Sequence, residues 1–211
     1  MKCIYDWGGL VKIRLIRSLV IMLFCTKVFA SDCNYSQSVM ADFAERDTLS
    51  EFTSPRIPDS WGPKPRIYPA PIIPQGCDRI AWERYRVVAV AKKYIGLPYR
   101  HHHIPSYDDG NGVGLDCSNF TAWVYNYALG IKLNSDINVQ AMTAGRQLAP
   151  DEPLQPGDLL FIRTLNDSRI SHVVIYIDPE HIIDDHGTGV KIRKFAGWYK
   201  NHYAYARRII E

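Results

Sequence analysis

Residues 78–96, DRIAWERYRVVAVAKKYIG, carry apolar positions at helical intervals between an Asp78 start signal and a Gly96 stop. The pattern predicts a first helix, with Ile80, Tyr85, Val88 and Ile95 sharing its apolar stripe. From Cys117 onward Phe120, Val124 and Tyr127 recur at the same spacing, so a second helix begins at or just before Cys117, with Asp116 or Ser118 placed to cap it. Between the two lies LPYRHHHIPSYDDGNGVGLD, a long loop rich in Gly, Pro and Asp, and loops of this length in compact domains are often functional. Downstream, Pro156 and Gly157 in LQPGDLLFIR mark a turn that leads into a strand. RISHVVIYID then sets His172, Val174 and Tyr176 on one strand face and Val173, Ile175 and Ile177 on the other. The C-terminal VKIRKFAGWYKNHYAYARRII predicts two more strands around a short turn or helix at Trp198 and Tyr199, its basic residues reading as exposed strand faces.

The N-terminus follows another pattern. Basic residues precede the apolar run LVIMLFC, and VFA before Ser31 offers small residues for a signal peptidase, so residues 1–30 read as an export signal cleaved after Ala30. A retained anchor would need about 20 apolar residues, and Lys27 interrupts this run too early. A lipid-modified Cys25 is disfavoured by the bulky Phe24 before it. The whole chain of 211 residues, at 46% hydrophobic content, suffices for one full core. The whole sequence has a formal charge of +3, but Lys2, Lys12, Arg14, Arg17, Lys27 and Asp6 lie in the signal. Twenty basic and 21 acidic side chains remain, which is no electrostatic footprint for nucleic acid.

Export changes the reading of the cysteines. Cys33, Cys77 and Cys117 stay in the mature chain, an odd number for an oxidising compartment. Cys33 and Cys77 flank a segment containing Pro55, Pro58, Pro63, Pro65, Pro69, Pro71 and Pro74, which excludes regular helix or central strand. A Cys33–Cys77 disulfide would tie this arm to the domain and leave Cys117 free; the alternative is three buried thiols. A cysteine at a helix N-terminus faces unpaired amides and partial positive charge, which stabilise a thiolate and a developing oxyanion. His172, near the start of its strand, is placed to project toward such a helix, although a lone strand histidine is more often structural. His101, His102 and His103 do not read as a metal site, because sequence neighbours rarely converge on one ion and no acidic or cysteine cluster completes a ligand set.

YIGLPYR, LDCSNF, LQPGDLLFI and SHVVIYI, in this order and at these spacings, resemble the NlpC-type cell-wall cysteine peptidases over roughly residues 80 to 210. The resemblance implies an α+β, papain-like fold in which the nucleophile helix packs on an antiparallel sheet. It implies Cys117 as nucleophile and His172 as general base. The third member, a polar residue twelve positions after the base, falls on Asp184. His186 would share the face of Asp184 in a regular strand and is the second choice, while Asp185 should point the other way. The resemblance also implies that the Tyr99 hydroxyl lies near the reacting carbonyl and that Asp116 and Ser118 anchor substrate. HHHIP replaces the tryptophan and glycines usual after that tyrosine, so this pocket wall departs from the common pattern.

These readings divide the chain into a signal (1–30), a proline-rich arm (31–77) and an NlpC-type peptidase domain (78–211). The expected protein is an exported, periplasmic or secreted monomer. It would cleave peptidoglycan stem peptides without metal or organic cofactor and hold no membrane span after signal cleavage. A γ-D-glutamyl to diamino acid bond is the first choice of target. A non-catalytic wall-binding module, or a secreted transacylase or effector on the same fold, is the alternative.

Overall fold

The computed structural model describes residues 33–40, 68–101, 114–164 and 169–211. The signal segment, Pro55, Pro58, Pro63, Pro65, His102 and His103 lie outside the described residues.

Helix α1 spans Arg79–Lys93, capped by Asp78, whose carboxylate accepts from the Ala81 amide at 2.8 Å. Its buried face is not the expected stripe. Trp82, Arg86, Val87, Val90 and Ala91 point inward with Val88, whereas Ile80, Tyr85 and Ile95 are exposed. Arg86 misleads the periodicity because it is fully buried: its Nε donates to the Ala128 carbonyl at 2.6 Å and its guanidinium lies 5.3 Å from the Trp82 ring centre. Helix α2, Cys117–Leu129, is buried along nearly its whole length and stops at Gly130, whose φ of 72° is left-handed. A short α3, Ile137–Thr143, follows.

The strands are β1 (Arg146–Gln147), β2 (Leu159–Ile162), β3 (His172–Asp178), β4 (His181–Asp185), β5 (Val190–Lys194) and β6 (Tyr203–Arg208). They form one sheet in the order β1-β6-β2-β3-β4-β5, antiparallel at every pairing. Helix α4, Trp198–Asn201, links β5 to β6 as the sequence predicts.

Strand alternation sorts the core in two. Phe161, Val173, Ile175 and Ile183 meet α1 and α2 through Val87, Val90, Phe120 and Val124. Leu160, Ile162, Val174, Tyr176 and Ile182 form a second cluster, with Phe195 and Tyr199 packed against it. Each fully buried apolar side chain stabilises the fold by roughly 1.5–3 kcal/mol.

Cys33 and Cys77 are disulfide-bonded and Cys117 is free. The arm does more than hang from this bond. Val39 and Tyr68 are buried in the helix-side core, the Trp82 indole donates to Ser38 Oγ at 2.8 Å, and the Tyr68 amide donates to Asn126 Oδ1 at 3.0 Å. Gly130 is required there, since a Cβ would stand 2.4 Å from the Tyr68 carbonyl oxygen.

Candidate active site

Asp116 is the N-cap of α2, so Cys117 is its first helical residue. One Asp116 oxygen accepts from the Asn119 amide and from Asn119 Nδ2, both at 2.9 Å. Ser118 Oγ lies 2.7 Å from the Ser135 carbonyl and 3.2 Å from Asp116, and its single proton favours the shorter partner. Buried Gln140 donates to the Ser118 and Asn134 carbonyls at 3.1 and 2.8 Å. The first turn of α2 is thereby fixed to the segment before α3. Asp116 and Ser118 line the cavity at Cys117, yet both also hold the helix start in place.

The cavity is about 320 Å³ and includes Tyr99, His101, Asn138 and Ser171 in its wall. Tyr99 reaches it because residues 98–100 pair with Leu115: the Arg100 amide donates to the Leu115 carbonyl at 2.8 Å, and the Leu115 amide to the Pro98 carbonyl at 3.3 Å. Its hydroxyl lies 3.1 Å from His101 Nδ1. Burial first, then the negative charges of Cys117, Asp116 and Asp185, push the Tyr99 phenol above its ordinary value, so it remains a proton donor.

His172 opens β3, and its imidazole reaches past the sheet end to Cys117. Its Nε2 lies 2.7 Å from Asp184 Oδ2, which leaves Nδ1 as the ring nitrogen free to serve the thiol of Cys117. Burial opposes the imidazolium, but the hydrogen bonds to Asp184 and Cys117 outweigh it and push His172 up to about 9. Asp184 is itself buried. Burial alone would raise it, yet the bonds from His172, from Arg193 Nε at 2.5 Å and from the Tyr199 hydroxyl at 2.8 Å hold it below the usual carboxylate range.

The β3–β4 hairpin explains this geometry. Ile175 pairs with Ile183, so the same register places His186 opposite His172 and Asp184 one diagonal step away. Strand β4 ends at Asp185, and His186 does not continue its alternation toward the acceptor position. Its ring stands edge-on to His172 at 5.1 Å between centres and 6.1 Å from Tyr99. Burial and the adjacent imidazolium hold His186 below its ordinary value, so it is neutral there. Asp185 lies on the opposite face, as alternation requires. It is fully buried with neither oxygen having a hydrogen-bond partner among the described residues, and burial together with Asp184 and Asp116 pushes it up to about 8.

Arg193 and Tyr199 escape the sequence reading. VKIRK looks like an exposed basic edge, and Lys191 and Lys194 are exposed, but Arg193 turns back to Asp184. Asp184 pairs with Lys191 in the β4–β5 ladder, so Arg193 is its diagonal neighbour, a relation that needs the register and not the composition.

A thiol, an imidazole and a carboxylate in series, beside unpaired helix amides and a polar cavity, can perform acyl transfer. Among the described residues, no group of three or more His, Cys, Asp or Glu side chains is arranged to hold a metal. No helix among them is long and apolar enough to cross a membrane.

A sequence model of the NlpC/P60 family matches residues 96–208. The chain is 36% identical over 91 residues to the gamma-DL-glutamyl hydrolase of Bacillus subtilis, covering 43% of this chain and 20% of that protein. It is 30% identical over 121 residues to the murein DD-endopeptidase MepH of Escherichia coli, covering 55% of this chain and 42% of that protein. The chain therefore spans less than half the length of either relative. A NlpC/P60 family protein from Bacillus cereus superposes with a TM-score of 0.53 at 26% identity, covering 68% of this chain and 42% of that one.

Proposed function

Because the chain belongs to the NlpC/P60 family, we propose that it is an exported cysteine peptidase that hydrolyses amide bonds in peptidoglycan stem peptides. Cys117, His172 and Asp184 are its catalytic residues. The observation that carries this reading is the shared imidazole, 2.7 Å from a buried carboxylate on one side and beside the free thiol of Cys117 on the other. Export rests on the signal pattern of residues 1–30. Likeness to a gamma-DL-glutamyl hydrolase and a murein endopeptidase supports the substrate class and makes a γ-D-glutamyl to diamino acid bond the first choice.

In the reaction, the imidazolium of His172 already holds the proton of the Cys117 thiol, and the thiolate attacks the carbonyl carbon. The carbonyl oxygen gains the negative charge, and the Cys117 amide at the α2 N-terminus, with the Tyr99 hydroxyl, donates to it. Collapse of this intermediate breaks the C–N bond as the imidazolium gives its proton to the departing amine. Water then attacks the thioester with His172 as base, releasing a carboxylate and restoring the thiol. Asp116 and Ser118 line the acyl side of the cavity and anchor that part of the substrate.

The test is digestion of purified peptidoglycan fragments by the folded protein and by Cys117→Ala, with products read by mass spectrometry. New amine and carboxylate termini are expected with the first and none with the second. Their absence from both sinks the proposal, and wall binding retained by Cys117→Ala would then favour the binding-module alternative.

A further inference from the structure

The mechanism fixes where the departing amine must lie, and the structure shows what stands beside that place. The proton reaches the departing nitrogen from His172 Nδ1, so the leaving group lies against the imidazole. The cavity at Cys117 is lined by Tyr99 and Ser171 and also by Ser135–Asn138, and in the peptidase reading the acyl part takes the Ser135–Asn138 end. Among the described residues two exposed rings flank His172. His186 has its ring centre 6.1 Å from that of Tyr99, a residue of the cavity wall. Trp198, outside the cavity wall, has its ring centre 6.4 Å from that of His172 and is 44% exposed, an unusual exposure for an indole so close to a buried histidine.

The ring is held, not loose. His202 stacks on it at 5.0 Å, and Tyr199 meets it edge-on at 5.2 Å. His202 Nδ1 also lies 2.8 Å from the Trp198 carbonyl, closing the α4 turn. The same Tyr199 donates to Asp184, so one short helix braces both the carboxylate behind His172 and the indole beside it. An aromatic platform built in this way offers a large apolar contact at little cost in side-chain entropy.

We propose that Trp198 is a specificity-determining residue that packs against the leaving-group residue of the substrate, the amino-acid residue whose nitrogen departs. It acts on acylation, when that residue is still attached, and not on hydrolysis of the thioester. The inference rests on the peptidase reading above.

Two substrates with the same acyl part separate the two ideas: one in which the leaving group is a peptide of two or more residues, and a methyl ester that releases only methanol. Trp198→Ala should lower kcat/KM for the peptide by about 10- to 100-fold. For the ester it should change the value by less than about 2-fold. Trp198→Phe, which keeps a flat ring, should recover most of the peptide activity. Equal losses on both substrates would mark a structural role and overturn the inference, as would no loss on either. If the wild-type protein turns over neither, the peptidase reading itself fails and takes this one with it.

Discussion

His172 is buried yet charged up to about pH 9, and the bond to Asp184 is the first of the effects that overcome burial. Replacing Asp184 with asparagine keeps the shape and removes the charge. Turnover should fall roughly 10- to 10³-fold, less than the about 10⁴-fold loss seen when a serine protease triad loses its carboxylate, because a thiolate–imidazolium pair leans on the orienting group less. The alkaline limb of kcat/KM, set near 9 in the native protein, should also move to lower pH, since burial then dominates the histidine. His186→Gln should lose far less and keep the limb, and the ranking is checked by pH-rate profiles on folded variants. At this scale the family resemblance pointed to Asp184 and kept His186 as second choice, and the hairpin brings the Asp184 carboxylate against His172. Twelve residues separate His172 from Asp184 because a tight hairpin returns the chain beside itself. Arg193 and Tyr199 were illegible because their contacts depend on strand register and on where a four-residue helix sits. The stripe on α1 was misread for a similar reason, since nothing in a periodicity marks Arg86 as an inward position.

Strand β4 carries two adjacent carboxyls in opposite states. Asp184 faces His172, Arg193 and Tyr199 and is ionised, while Asp185 faces the helix side of the sheet with no hydrogen-bond partner among the described residues and holds its proton up to about pH 8. An unfolded aspartate ionises near 3.8, so between that value and about 8 the folded state holds the extra proton and stability falls as pH rises. Asp185→Asn removes this loss. Relative to the native protein, the variant should gain stability progressively from about pH 4 to 8, by roughly 1–3 kcal/mol at the upper end. Urea unfolding at several pH values with an unchanged m-value checks it; parallel curves for the two proteins would show that Asp185 has a partner in solution. The sequence correctly sets the two carboxyls on opposite faces. It could not show which face supplies partners, because that depends on what packs against each side.

Across the whole molecule, α1, α2, the strands from β2 on and α4 were legible because each carries its own periodicity, cap or turn, whereas the short α3 and β1 were not read. The depth of the arm's involvement was not. Ser38 and Val39 sit far from α1 and α2 in sequence, and a proline-rich composition gives no hint that Val39 and Tyr68 complete the helix-side core. The Cys33–Cys77 bond, with a sequence separation of 44, restricts the unfolded chain, so reduction should lower the unfolding free energy by about 2–4 kcal/mol. Unfolding curves with and without reductant measure this, with Cys33→Ser/Cys77→Ser as a control that leaves Cys117 untouched; equal midpoints would mean that the packed arm holds without its bond.

The same closure has a topological consequence. Any single backbone cut between Cys33 and Cys77 opens a loop without releasing either piece. A protease that clips there converts one polypeptide into a two-chain molecule, joined by one covalent link and with Cys117, His172 and Asp184 all on the longer chain. Such a nick would be invisible on a non-reducing gel and would appear as two bands only after thiol treatment.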